Sequence, residues 1–89
     1  MAIKIVKDNI GLEELKKSAE NQFGDMIKAV VDIDNEIMAI GGELHADEEV
    51  FLNEQCGSKR ESTWGINIYP AKTGSEMIEF DSMINIKPQ

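Results

Sequence analysis

A chain of 89 residues makes one domain, near the smallest size at which a hydrophobic core holds a fold without staples. Its 42% hydrophobic content argues against intrinsic disorder, and its one cysteine, Cys56, excludes an internal disulfide and favours a cytoplasmic over a secreted protein. The net charge of −8 disfavours nucleic acid and anionic membranes, which both need cationic contacts, and no stretch approaches the roughly 20 apolar residues of a membrane span.

Ala2 to Val6 reads as a short strand carrying Ile3 and Ile5 on one face. Lys4 interrupts its apolar run and no small-residue cleavage site follows, so it is not read as a signal peptide. Leu12, Leu15, Ala19 and Phe23 then form one apolar stripe on a helix from Leu12 to Phe23, with Gly24 as its left-handed stop. Met26 to Ile33 and Ile37 to Ile40 are extended runs joined at Asp34-Asn35, which predicts a hairpin. Leu44 to Gln55 fits either a helix or a strand. Helix is favoured, because Asp47, Glu48 and Glu49 would place three anions in a first turn and Gly57 would stop it. Trp64, Ile66 and Ile68 alternate up to Pro70, and Met77 to Lys87 repeats the pattern, with Ile78, Phe80, Ile84 and Ile86 expected on a buried face. The order β-α-β-β-α-β-β predicts an α+β domain spanning residues 1–89, an antiparallel or mixed sheet of about five strands with both helices on one face.

Three segments, Gly-Gly-Glu-Leu-His-Ala-Asp-Glu-Glu at 41–49, Trp-Gly-Ile-Asn-Ile-Tyr-Pro at 64–70 and Glu-Phe-Asp-Ser-Met-Ile-Asn-Ile-Lys-Pro at 79–88, carry a resemblance. Together they are similar to a family of small prokaryotic proteins classed as a domain of unknown function. The resemblance implies a prokaryotic, soluble, single-domain protein and no particular activity.

The charge is strongly local. From Ala29 to Ser58 thirty residues pass without Lys or Arg while eight carboxylates accumulate, and the remaining nine acids are balanced by nine bases. Such a cluster repels itself unless it is solvated, meets a basic partner or holds a cation. Counted from Asp32, acids fall at positions 1, 3, 5 and 12 of an EF-hand-like spacing, but position 6 is Ile37 where that loop requires Gly. A looser oxygen site remains, built from Asp32, Asp34 and Glu36 of the hairpin with Glu43, Asp47 and Glu48, and oxygen ligands favour Ca²⁺ or Mg²⁺ over zinc or copper. If residues 43–47 were extended, Glu43, His45 and Asp47 would share a face. No nucleophile elbow, phosphate loop, dinucleotide glycine pattern or paired-His metal motif is present. The leading expectation is a monomeric, non-catalytic protein that binds a divalent cation weakly. The alternatives are a module that docks a basic protein partner and a small enzyme using Glu43 and His45.

Overall fold

The computed structural model describes residues 3–82. In chain order it runs β1 (Lys4–Val6), α1 (Leu12–Glu20), β2 (Ile27–Asp32), β3 (Ile37–Ile40), α2 (His45–Cys56), β4 (Thr63–Ile68) and β5 (Ile78–Ser82), with 3-10 turns at Arg60–Ser62 and Gly74–Glu76. This is the α+β order read from the sequence. The five strands form one antiparallel sheet in the order β1-β3-β2-β4-β5, so β2 is central and β1 and β5 are the edges.

The sequence of β2 decides how the helices pack. Ile-Lys-Ala-Val-Val-Asp carries apolar side chains in both alternating registers, and both are buried. Ile27 and Ala29 pack with Ile40, Ile66 and Ile68 beneath Leu15 and Ala19 of α1. Val30 packs with Ala39 beneath Leu52 of α2. Neighbours along a strand point to opposite faces. The two helices therefore cover opposite faces and the sheet is a middle layer, which corrects the expectation of helices on one face.

Local signals set the element ends. Helix α1 stops at Glu20, short of the expected Phe23, where the Gln22 N–H turns back to the Ala19 carbonyl at 3.1 Å. Gly24, at φ 93°, then gives its own N–H to the same carbonyl at 2.7 Å. Only Leu15 and Ala19 of the predicted stripe are buried; Leu12 and Phe23 are half-exposed. The ambiguous 44–55 segment is helical. It ends at Gly57, whose φ of 70° lets its N–H reach the Asn53 carbonyl while Ser58 reaches that of Leu52.

Strand β5 departs most from expectation. Ile78 and Phe80 share a sheet face with the α1 core, yet they are 55% and 70% exposed. Helix α1 packs on β2 and leaves Ile78 and Phe80 largely uncovered, and Phe80 leans on Trp64 with ring centroids 5.3 Å apart. Ile84 and Ile86, expected on the same face, lie outside the described residues.

Candidate functional site

The hairpin acids fold onto their own turn. Asp32 is buried at the end of β2, where one carboxylate oxygen accepts the backbone N–H groups of Asp34 and Asn35 and the other accepts the Asn35 side-chain amide at 2.8 Å. Burial alone would raise its pKa. The adjacent Ser58 hydroxyl, the Asn35 side chain and the two turn N–H groups outweigh burial and hold it below its ordinary value. Asp34 accepts a hydrogen bond from the Ser62 hydroxyl, and Glu36 is exposed at a positive φ of 56°. Strand β3 carries the chain away from this turn before Glu43 is reached. Glu43, Asp47 and Glu48 therefore gather at the opposite end of the hairpin, beside the start of α2.

Within that second group the three acids have different surroundings. Glu43 and Asp47 are exposed and line one shallow cleft of about 280 Å³ with Ile3 and Gly42. Glu48 is fully buried against the sheet, one oxygen accepting the Gly42 N–H at 2.9 Å and the other having no hydrogen-bond partner among the described residues. Burial pushes its carboxyl up to about 8 against the opposing influence of the Gly42 N–H and Lys28, with Asp47 adding to the rise. Gly42 makes this seat available, since a Cβ there would lie 2.7 Å from Glu48 Cγ. His45 begins the helix, so the extended 43–47 face does not form; the ring Nε2 donates to the Ile66 carbonyl at 2.9 Å and ties α2 to β4. Among the described residues, no group of three or more His, Cys, Asp and Glu side chains is placed to hold a metal ion.

The outward side of α2 is unusual for an acidic helix. Its sheet-facing positions bury two glutamates, Glu48 and Glu49, with Leu52, while Leu44 and Val50 are 58% and 51% exposed among Glu43, Asp47 and Glu54. Hydrophobic periodicity could not reveal this, because acids occupy inward positions and apolar residues outward ones. The sequence reading also missed a cleft of about 310 Å³ between the C-terminal half of α2 and the following loop, lined by Glu49, Val50, Asn53, Ser58 and Arg60. Arg60 Nε donates to Glu49 Oε2 there at 2.9 Å, and Asn53 Nδ2 donates to the Ser58 carbonyl at 2.9 Å. The adjacency of Glu49 and Arg60 could have been read from helix facing plus the first bases after the acidic stretch. Asn67 of β4 and Tyr69 just beyond it both donate to Glu79 of β5, and these two bonds hold its carboxyl below the ordinary value.

The described residues form a three-layer α/β/α arrangement around one antiparallel sheet, with an acid-rich helix that exposes apolar residues. The chain belongs to the family described as protein of unknown function DUF5674, whose model matches residues 4–89. Comparison with curated proteins and with solved structures returns no match. Among the described residues no helix is long and apolar enough to cross a membrane.

Proposed function

We propose that the protein is a non-catalytic interaction module whose outward α2 surface docks a basic protein partner. The observation that carries this reading is the exposure of Leu44, at the N-cap of α2, and of Val50 on a helix that also exposes Asp47 and Glu54, in a stretch that holds no Lys or Arg. Exposed aliphatic side chains supply the desolvated centre of an interface, and the surrounding charge steers and orients a cationic partner. The chemistry asks for a partner with Lys or Arg around an apolar patch. A photo-crosslinking residue at position 44, compared with one at exposed position 72 in the loop after β4, identifies what docks in cells that express the protein. The identified partner should present that basic-apolar surface, associate more slowly as salt rises, and lose affinity with Asp47→Lys. Equal crosslinking at both positions, or binding indifferent to salt and to Asp47→Lys, would discard the reading.

A second reading is weak divalent-cation binding, supported by the shared cleft of Glu43 and Asp47. Two carboxylates leave most of the 6–8 oxygens that Ca²⁺ favours to water, which implies weak affinity. Ca²⁺ should then shift amide resonances near 42–47 more than NaCl of equal ionic strength does, and should leave the turn of Asp32 and Asp34 unchanged. Equal effects of the two salts would mean screening alone.

A further inference from the structure

The cleft lined by Glu49, Val50, Asn53, Ser58 and Arg60 borders the docking surface at Val50 and adds polar groups that the docking surface does not use. Glu49 is 5% exposed, and its bond with Arg60 engages one carboxylate oxygen and one guanidinium nitrogen. Among the described residues, Glu49 Oε1, Asn53 Oδ1 and the two terminal amino groups of Arg60 make no hydrogen bond. Glu49 and Asn53 thus line the cleft from α2 and Arg60 lines it from the following loop, with the aliphatic Val50 among the lining residues. A guanidinium fork fits a carboxylate with two parallel hydrogen bonds, and a buried carboxylate beside an amide oxygen fits an ammonium. The volume of about 310 Å³ is at the small end for ligand sites.

We propose that this cleft binds a free aliphatic α-amino acid, with its carboxylate on the Arg60 fork, its ammonium between Glu49 Oε1 and Asn53 Oδ1, and its side chain against Val50. A zwitterion satisfies both walls at once. It is also neutral overall, so the chain's net charge of −8, which repels a simple anion, does not oppose its arrival. An isolated cation would meet the acceptors but leave the fork unfilled, and an isolated anion would do the reverse.

The test is an amide-resonance titration of the ¹⁵N-labelled protein with L-valine, isobutyrate and isobutylamine, each to about 10 mM, a range that detects millimolar dissociation constants. Valine should give saturable shifts at Val50, Asn53, Ser58 and Arg60, with either single-charge analogue at least tenfold weaker. Arg60→Lys keeps the charge and removes the fork, and should weaken valine at least tenfold. Should that variant lose the dispersed spectrum of the folded protein, Asn53→Ala decides instead, because the side chain is exposed and its one bond is to the Ser58 carbonyl. No saturable shift with valine overturns the proposal. So does isobutyrate binding as tightly as valine, or valine binding undiminished in the folded variant.

Discussion

Glu48 couples folding to proton binding, with a sign set by linkage. Its carboxyl stands at about 8 in the folded protein against an ordinary value of 4.5, so the folded state holds the proton more tightly. Between those values the folded chain keeps a proton that the unfolded chain releases. Its contribution is fully present below the lower value and is lost as pH rises, by at most about 1.4 kcal/mol per pH unit. Glu48→Gln keeps the acceptor for the Gly42 N–H and cannot ionise. Thermal melts should show a clear fall in Tm from about pH 5 to about pH 8 in the wild type and a much flatter profile in the variant. An unchanged slope in Glu48→Gln would assign the titration to another group. Gly42→Ala tests the same seat sterically: its Cβ would meet Glu48 Cγ at 2.7 Å, and overpacking of this kind costs about 1–3 kcal/mol. A Gly42→Ala protein as stable as the wild type in urea would show that the Glu48 side chain simply moves aside.

At the level of elements, the packing separates strand β2 from strand β5. Ile27 is wholly buried beneath α1, whereas Phe80 is 70% exposed on the edge strand. In urea unfolding Ile27→Ala should cost roughly 2–5 kcal/mol, while Phe80→Ala, which loses mainly its contact with Trp64, should cost under about 1.5 kcal/mol. Equal costs would mean that the edge carries as much of the core as the centre. The element order was legible because periods of two and 3.6 are local properties, and Gly24 and Gly57 punctuate them. The side of the sheet on which each helix packs was not. The double apolar register of β2 was visible in Ile27, Ala29 and Val31 against Val30, but assigning one register to each helix needs the pairing of distant strands. Of the six carboxylates expected to hold a cation, sequence proximity placed Asp32, Asp34 and Glu36 near Glu43. The intervening strand β3 separates them, and the Asx turn gives Asp32 a local role. Nothing in the run Asp47-Glu48-Glu49 distinguishes its exposed member from its buried ones except the helical face they share with Leu52.

Over the whole molecule, two titrations and a surplus of negative charge act together. Asp32, held below its ordinary value, contributes stability that is present above that value and lost as pH falls through its folded-state pKa. Glu48 loses its contribution in the opposite direction, and the growing negative charge adds self-repulsion as the exposed acids ionise. Maximal stability should therefore lie on the acid side of neutrality, between the Asp32 limb and the Glu48 decline. Salt separates these causes. Raising NaCl from about 0.01 M to about 0.15 M shortens the Debye length from about 30 Å to about 8 Å, which screens exposed carboxylates and barely reaches a buried one. Added NaCl should raise Tm at pH 8, where the surface is fully charged, and change it much less near pH 5. The pH slope assigned to Glu48 should persist in the presence of salt and flatten strongly only in Glu48→Gln. If NaCl removes the slope from the wild type, surface repulsion governs the pH dependence and the buried carboxyl does not.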